Sequence, residues 1–585
     1  MRGLWQYFEG RKLRAALMVL VGAGNAAAQT GGWLIVRDAI DHGINVHNKQ
    51  GDLVGNMHHL TIAVAFYLAV AAAGWVLQAW LIRGLATIGQ AVVIGLRRHL
   101  FDHLTGLSLR YFSQQKAGWI IARLTSDVDA VSDVLSQGMP TLVSNAILLP
   151  AAVTALLIAD WRLGLVSFAV LPPALILSRW FQRVSHAANV EQRNRIAAVT
   201  AQIAESVAGM AVVQAFNRER RFQAEFDALN EANRAQSTYV QRIFSVFFPS
   251  IELLGVLSMG AVLYVGAHLY ANDTLTIGTL ITAIYLLQLV FQPLQELSDV
   301  YGQLQSAGAA MVKIASILDE EPEIFDRPGA QPLPRIEGDL EIDSVVFAYG
   351  KEPVLHGISF HIAPGGCFAL VGESGHGKST LARLIGRHYD PDEGAVRVDG
   401  QDLRDVQLRS YRRQLGVVLQ DPFLFSGTIA SNIRFAKPDA TEEEVEAAAA
   451  AVGVDRVAAR LSGGLDHEVR EGGAGLSAGE RQLISIARAL LADPRILVLD
   501  EATSNIDRPT EVLIERALDR LLRGRTSIII AHRLSTVRRA DEILVVENGN
   551  VVQRGSEREL LAVDGPFRRL AHTLDGGEPE LAAAG

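Results

Sequence analysis

The stretch Leu370-Val-Gly-Glu-Ser-Gly-His-Gly-Lys-Ser-Thr380 follows an apolar run and precedes a predicted helix. It matches the G-x-x-x-x-G-K-[ST] pattern of a phosphate-binding loop. Glycines let the backbone aim N–H groups at phosphate oxygens, and the next helix adds its positive N-terminal end. The pattern predicts a nucleotide site in which Lys378 reaches the β- and γ-phosphates and Ser379 ligates Mg²⁺. The predicted loop residues are Gly372, Glu373, Ser374, Gly375, His376, Gly377, Lys378, Ser379 and Thr380.

A second apolar run, Arg495-Ile-Leu-Val-Leu-Asp500-Glu501, ends in two carboxylates. A continuous apolar run is typical of a buried parallel strand, and parallel sheets bind ligands at the carboxyl ends of their strands. We therefore expect Asp500 to hold Mg²⁺, directly or through water, and Glu501 to polarise the attacking water. Without the phosphate loop, an ordinary strand followed by acidic residues would explain the same pattern.

A third segment opens the predicted helix Leu483–Leu491 and resembles the signature motif of ABC-transporter ATPases, whose commonest form is L-S-G-G-Q. Serine and glycine at a helix N-terminus make a second anion site, suited to a γ-phosphate that another subunit presents. Two signature positions, and His376 in the phosphate loop, depart from the usual residues, so we expect a working site with altered affinity. The signature residues are Leu476, Ser477, Ala478, Gly479 and Glu480.

Further positions match the same family in order. Tyr349 resembles the aromatic residue that stacks on adenine, and Gln420 the glutamine that contacts Mg²⁺ and water and senses the membrane domain. Ser504 and Asp507 correspond to the D-loop, and His532 to the switch histidine on the γ-phosphate. The resemblance implies ATP and Mg²⁺ as cofactors. It implies Glu501, His532 and Gln420 as catalytic residues, and Ser379, Gln420 and Asp500 as metal ligands.

The first half of the chain carries apolar segments long enough to span a bilayer, which takes about 20 residues in a helix. Basic residues crowd the two long connections and spare the short ones, so the positive-inside rule places both termini and both long loops in the cytoplasm. A basic start followed by Ala26-Ala-Ala28 is similar to a signal peptide, but the apolar run continues and predicts a retained helix. The six predicted spans are 14–36, 60–82, 137–159, 162–179, 246–270 and 276–298.

Several predicted spans contain polar side chains, which are costly in hydrocarbon and tend to face a bundle interior or a wet cavity. Hydrogen bonds between helices are one explanation, and a substrate cavity is another. A carboxylate there needs a partner unless it is solvated near the inner interface. These polar residues are Asn25, Gln29, Thr30, Gln78, Asn145, Glu252, Gln288 and Gln292.

Composition narrows the possible partners. The chain has 585 residues, 49% of them hydrophobic, and a formal net charge of -9. This charge argues against nucleic acid, which selects basic surfaces. One cysteine, Cys367, excludes an intrachain disulfide and a cysteine metal cluster, and its apolar surroundings predict a buried strand residue.

The domain organisation follows from the change of pattern along the chain. We expect a membrane domain over 1–318, a linker over 319–337, an ATPase domain over 338–575 and a disordered tail over 576–585. The predicted fold class is a membrane all-α six-helix domain with long cytosolic helical extensions, followed by an α/β phosphate-loop ATPase domain with a helical subdomain. Prolines in the linker and Asn548-Gly549, a hairpin signal, support these divisions.

The resemblance extends to the membrane half. Segments beginning at Tyr111 and at Glu205 are similar to the two long cytosolic loops of ABC exporters, which end in coupling helices that contact an ATPase domain. We expect these helices near 112–121 and 207–216. The family mechanism implied is closure of two ATPase domains over two nucleotides, which turns an inward-facing cavity outward. An ordinary amphipathic helix would explain the periodicity of these segments but not their likeness to the family loops.

These features predict a half-transporter of the exporter fold in a bacterial inner membrane, exporting a hydrophobic or amphipathic drug or lipid. An importer of exporter shape is the alternative. The predicted spans reject a soluble ABC ATPase, and Glu501 and His532 disfavour a non-hydrolysing channel. The partner is a second half-transporter. A non-identical one is favoured over a homodimer, because Ala478, Glu480 and the Ser504–Asp507 segment differ from forms frequent in homodimers.

Overall fold

The computed structural model describes residues 10, 12–44, 55–373, 375–500, 507–531 and 533–574. The chain forms two compact units. The first, called here the helical unit, comprises Met1–Thr105 and Ala117–Glu320. The second, the α/β unit, comprises Gly106–Lys116 and Glu321–Gly585. A short piece from early in the chain therefore belongs to the C-terminal unit.

Every element described before residue 321 is a helix, and the helical connections include π-helical turns at Ala39–Ile44, Arg123–Asp127 and Val134–Gly138. The α-helices are α1 (Lys12–Asp38), α2 (Met57–Gly106), α3 (Leu109–Gln114), α4 (Ala117–Ala122), α5 (Val128–Asp133), α6 (Met139–Ala159), α7 (Trp161–Phe168), α8 (Leu171–Ala208), α9 (Met210–Ala215), α10 (Glu219–Ala271) and α11 (Ile277–Leu318). Of these, α3 belongs to the α/β unit.

Helical segments in the described part of the chain are long and apolar enough to cross a membrane. Five such segments occur there, and α11 adds a shorter apolar stretch, Ile277–Phe291. The first five predicted spans lie in the five long segments, and the sixth, 276–298, overlaps the shorter stretch Ile277–Phe291 and extends beyond it. The five are Lys12–Ile44, Met57–Gly106, Ala117–Ala159, Trp161–Ala208 and Glu219–Ala271.

The fourth predicted span is interrupted between α7 and α8. Pro172 and Pro173 lack N–H donors, so they are tolerated in the first turn of a helix and not in its interior. Accordingly α8 begins at Leu171, directly before them. Packing holds α8 against α10. The Phe181 ring of α8 stacks on the Phe247 ring of α10 with 3.9 Å between centroids.

The α/β unit is built on a six-stranded sheet with the order β12-β11-β3-β10-β9-β6, in which only the pairing of β12 with β11 is antiparallel. A second, antiparallel sheet has the order β2-β1-β4-β5. The strands are β1 (Leu340–Ala348), β2 (Pro353–Ile362), β3 (Cys367–Val371), β4 (Glu393–Val398), β5 (Gln401–Asp402), β6 (Leu415–Val418), β7 (Gly427–Thr428), β8 (Glu468–Val469), β9 (Ile496–Asp500), β10 (Thr526–Ile530), β11 (Glu542–Glu547) and β12 (Asn550–Gly555).

Two apolar cores cover the faces of the six-stranded sheet. One packs it against the antiparallel sheet and α12, and the other against helices that include α14, α15, α17 and α18. The helices of this unit after α3 are α12 (Lys378–Ile385), α13 (Leu408–Arg412), α14 (Ile429–Arg434), α15 (Glu442–Val452), α16 (Val454–Ala458), α17 (Ala478–Leu491), α18 (Arg508–Leu522), α19 (Leu534–Val537), α20 (Glu557–Ala562) and α21 (Pro566–Leu574).

Two local predictions are confirmed. Cys367 is a buried residue of β3, where burial and the nearby Asp541 carboxylate raise the pKa of its thiol to about 12. The turn between β11 and β12 consists of Asn548 and Gly549, with φ of 46° and 72°. Both angles are left-handed, as the tightest hairpin turns require.

The segment predicted as a linker packs on the α/β unit. From Glu321 onward its residues belong to that unit, and the side chains of Leu333 and Ile336 join its core. Arg387, which is 1% exposed, donates to the carbonyl oxygens of Val406 and Phe325 at 2.9 and 3.3 Å. Prolines mark where the helix must end but do not show whether the following chain is free or packed. The predicted tail, 576–585, lies outside the described residues.

Candidate active site

The predicted phosphate loop joins β3 to α12, and its backbone conformation requires glycine for steric reasons. Gly372, Gly375 and Gly377 have φ of 151°, 88° and 99°. A Cβ on Gly372 would lie 2.2 Å from the Val546 carbonyl oxygen. Because a side chain would clash there and adopt an unfavourable φ, only glycine suits the position. Ser374 lies outside the described residues.

Lys378 begins α12 and is buried. Its ammonium donates to the carbonyl oxygens of Gly372 and Glu373 at 2.7 and 2.8 Å. Burial lowers the pKa of Lys378, while the carboxylates of Asp500 and Glu373 oppose the shift. A buried cation whose described hydrogen-bond partners are neutral carbonyls fits an anionic ligand, because a phosphate oxygen would compensate its charge.

Next to the loop, aromatic rings surround Tyr349, the residue predicted to meet adenine. Its hydroxyl donates to Thr380 Oγ1 at 3.2 Å and accepts from Arg383 Nη1 at 3.1 Å. The ring meets that of Tyr389 edge-on, with centroids 5.3 Å apart. Arg383 and Tyr389 lie in other elements than Tyr349, so no local pattern in the sequence marks them as its neighbours.

Three predicted features meet at one edge of the sheet. The strands β3, β10, β9 and β6 are neighbours and run parallel, so their carboxyl ends share an edge. The phosphate loop follows β3, Asp500 ends β9, and Gln420 comes shortly after β6 with an exposed side chain. Asp500 is in register with Ile530 at the end of β10. Glu501, Ser504 and His532 lie outside the described residues.

The predicted signature forms the start of α17. Ser477 is the N-cap: its hydroxyl accepts from the Glu480 N–H at 3.2 Å, while the Glu480 carboxylate accepts from the Ser477 N–H at 2.9 Å. This reciprocal arrangement is a capping box, which the S-x-x-E spacing indicates from sequence alone. Arg460 also donates to Glu480 at 3.2 Å. Ser477 and Ala478 are exposed, Leu476 and Gly479 buried.

Asp507, predicted to belong to the D-loop, is the N-cap of α18. Its carboxylate accepts from the backbone N–H and the hydroxyl of Thr510 at 3.1 and 2.9 Å. These two bonds lower the pKa of Asp507, so the carboxylate is ionised near neutrality.

The first segment predicted as a coupling helix, 112–121, covers the end of α3 in the α/β unit and most of α4 in the helical unit. The second, 207–216, contains α9 of the helical unit. In the α/β unit, the Arg110 guanidinium of α3 lies 5.7 Å from the centroid of the Tyr389 ring and pairs with Glu323 at 3.1 Å. In the helical unit, α9 carries apolar side chains that are exposed: Val212 by 62% and Phe216, just beyond its end, by 72%.

The polar side chains of the predicted spans have two kinds of surroundings in the helical unit: hydrogen bonds to a neighbouring helix and the lining of a recess. Asn25 donates to Gln78 at 2.5 Å and Asn145 to Glu296 at 3.0 Å, which are hydrogen bonds between helices. Asn25 and Gln78 also line a recess of about 340 Å³ between α1 and α2. Glu252 is exposed. The other lining residues include Gln29, Trp33, Tyr67 and Trp75.

Comparisons with known proteins agree with this architecture. Residues 16–294 match the family described as "ABC transporter transmembrane region" and residues 355–504 the family described as "ABC transporter". An ATP-dependent lipid A-core flippase from Syntrophus aciditrophicus is 35% identical over 494 residues, covering 84% of this chain and 82% of the flippase. A multidrug efflux ATP-binding/permease protein from Mycobacterium bovis is 35% identical over 98% of this chain, which spans 47% of that protein.

Solved structures include the same fold. A bacterial Atm1-family ABC exporter with ATP bound superposes with a TM-score of 0.78 at 28% identity, covering 98% of this chain and 99% of the exporter. The predicted fold class, a helical membrane domain followed by an α/β ATPase domain, is confirmed. From the apolar helices of the helical unit, the candidate nucleotide site at the sheet edge of the α/β unit and these matches, we conclude that the chain belongs to the ABC transporter family, as an exporter-type half-transporter whose cytoplasmic ATPase domain is coupled to transport across the membrane.

Proposed function

We propose that this chain binds MgATP and hydrolyses it to export a hydrophobic or amphipathic compound, a drug or a lipid. The observation that carries the proposal is that one α/β unit holds two helix N-termini suited to phosphate. The first is the loop before α12, with its buried Lys378, and the second is the exposed Ser477 at the start of α17. The second suits a nucleotide that another subunit holds.

Within the nucleotide site, each residue has a distinct role. Lys378 and the loop N–H groups bind the β- and γ-phosphates, and the Tyr349 ring stacks on adenine. Ser379, Gln420 and Asp500 would hold Mg²⁺, which neutralises charge on the phosphates when bound. Glu501 orients the attacking water and His532 contacts the γ-phosphate. Ser504 and Asp507 line the contact with the partner subunit.

Two segments carry the coupling between hydrolysis and transport. Only two residues separate α3 from α2 of the helical unit, yet α3 packs in the α/β unit through Arg110, Glu323 and Tyr389. We assign α9, with its exposed apolar residues, to docking on the partner subunit's ATPase domain. Apolar side chains of this size favour a partner over water.

Half-transporters of this family function as dimers, and we propose that the partner is a non-identical chain. The support is the signature sequence. Glu480 stands where glutamine is usual and places a carboxylate at a helix N-terminus that is meant to receive a phosphate. Like charges at that position would weaken binding of the partner's nucleotide.

The substrate class rests on the recess between α1 and α2. Three amide side chains, Asn25, Gln29 and Gln78, occur there among aromatic rings, which are those of Trp33, Tyr67 and Trp75. Such a surface offers apolar area and a few hydrogen-bonding groups, which suits an amphipathic molecule. The relatives named for lipid A-core flipping and multidrug efflux are consistent with this class.

Transport direction tests the proposal. The chain and its partner are placed in inverted membrane vesicles, with ATP and a fluorescent lipid or drug outside. We expect ATP-dependent accumulation inside the vesicles, and none with the Glu501→Gln chain. Loss of preloaded compound on addition of ATP would instead identify an importer and contradict export.

A further inference from the structure

We propose that the outer ends of α1 and α2 form a binding site for a divalent transition-metal ion of the Zn²⁺ type, made by Asp38, His42 and His59. Asp38 is the last residue of α1, His42 lies in the π-helical turn that follows, and His59 lies in the first turn of α2. One donor atom of each residue lies within 4.8 Å of the other two.

The geometry already brings the donors close. Asp38 Oδ1 is 3.0 Å from His42 Nδ1, and Asp38 Oδ2 is 2.8 Å from His59 Nε2. Ligands at about 2.0–2.2 Å from a tetrahedral zinc ion lie roughly 3.4 Å apart. To admit the ion, the two separations from Asp38 would lengthen by a few tenths of an ångström, and the two histidine donor atoms, which lie within 4.8 Å of each other, would take the same spacing. The side chains are partly exposed, so an ion can enter from solvent.

The backbone around this group is fixed from two sides. The Asn56 N–H donates to the Gly43 carbonyl oxygen at 2.7 Å, which joins the π-helical turn to the start of α2. Asp41 accepts from the Gly278 N–H at 2.8 Å and from the Thr276 hydroxyl at 2.6 Å, which joins the same turn to the start of α11. π-helical turns often occur at functional sites.

Donor chemistry selects the class of ion. Two imidazoles and one carboxylate suit Zn²⁺ and its first-row neighbours, and leave a coordination position for water. Ca²⁺ requires six to eight oxygen ligands, and Mg²⁺ prefers carboxylates and water in an octahedron. An ion here would link α1 to α2 at the ends that the positive-inside rule predicts to lie outside the cytoplasm.

The test measures metal binding by the full-length chain in lipid nanodiscs, after chelator treatment and removal of any affinity tag. Titration with Zn²⁺ against a chromophoric chelator should give one ion per chain at about micromolar affinity. Co²⁺ should show the intense visible spectrum of tetrahedral coordination, whereas Ca²⁺ and Mg²⁺ should not compete.

Variants locate the site. Asp38→Asn, His42→Gln and His59→Gln should each weaken Zn²⁺ binding by at least about tenfold. His58→Gln is the matched control, because His58 is the exposed neighbour of His59 on the same turn of α2. It should bind as the wild type does. Metal-free melting temperatures of all four variants should equal that of the wild type. Absence of Zn²⁺ binding to the wild type, or equal binding by His59→Gln, would overturn the site.

Discussion

At the scale of single residues, a buried lysine is the main electrostatic feature of the candidate nucleotide site. Lys378 is 5% exposed, and its described hydrogen-bond partners are uncharged. Exposed ion pairs elsewhere in the chain contribute little to stability, because water screens them. Burying the Lys378 ammonium group in the loop costs free energy, and the anionic ligand that it binds explains why the loop keeps it there.

Lys378→Ala should therefore weaken ATP binding, because it removes the cation that meets the β- and γ-phosphates. Glu501→Gln should keep MgATP binding and lose hydrolysis by on the order of 10²-fold or more. Calorimetry and steady-state ATPase assays of the two variants separate binding from chemistry. Lys437→Ala, a surface lysine paired with Glu444, is the control. Unchanged ATP affinity in Lys378→Ala would refute the assigned role.

A second residue, His388, predicts that the stability of the folded chain depends on pH. Burial, with the positive charges of Arg412 and Arg383, lowers the pKa of His388 from 6.5 to about 4. The folded chain therefore binds fewer protons than the unfolded chain between these values, so its stability is complete above pH 6.5 and falls as the pH drops toward 4. This group accounts for about 3 kcal/mol at most.

We expect His388→Gln to flatten that dependence. Scanning calorimetry of the full-length protein between pH 4.5 and 7 should show the melting temperature of the wild type falling more steeply than that of the variant. His356→Gln, a substitution at an exposed histidine, should behave as the wild type does. Parallel curves for wild type and His388→Gln would show that this imidazole is not the group responsible.

At the scale of elements, periodicity and local motifs predicted most of what the structure contains. Apolar length placed five of the six predicted spans within long apolar helical segments, and the S-x-x-E spacing marks the capping box that starts α17. Contacts between distant parts of the chain could not be predicted. The likeness of the segment beginning at Tyr111 to an exporter loop predicted contact with an ATPase domain, but it did not identify Glu323 and Tyr389 as the partners of Arg110. Prolines did not reveal that Leu333 and Ile336 are buried. Glu501, Ser504 and His532 stay predictions.

The assignment of α9 predicts an uncoupling mutation. Val212→Asp places a charge on an exposed apolar side chain, and we expect transport per ATP hydrolysed to fall severalfold because a carboxylate resists burial in the docked state. ATP hydrolysis itself should continue. Gln214→Asp, an exposed polar residue on the same helix, is the matched control and should change this ratio little. Transport and hydrolysis are measured together in proteoliposomes.

At the scale of the whole molecule, one chain supplies one membrane domain and one ATPase domain, and we propose that the exposed signature at Ser477 meets the partner's nucleotide. If the partner is a different chain, the purified single chain should show little ATPase activity. Adding the partner should restore hydrolysis by on the order of tenfold or more, because the partner's signature completes the site. Full, cooperative hydrolysis by the single chain in nanodiscs would instead establish a homodimer.

The place of α3 sets an order of events during synthesis. Arg110 leaves the ribosome about 280 residues before Tyr389, against which it packs. At roughly 5–20 residues per second, α3 waits between about 15 s and one minute for that surface to be made. Throughout this interval the Tyr111 side chain, which is buried in the complete chain, remains uncovered in the cytosol while the later spans insert. Nascent chains halted before the α/β unit should therefore bind chaperones at this segment, and release them once translation is complete.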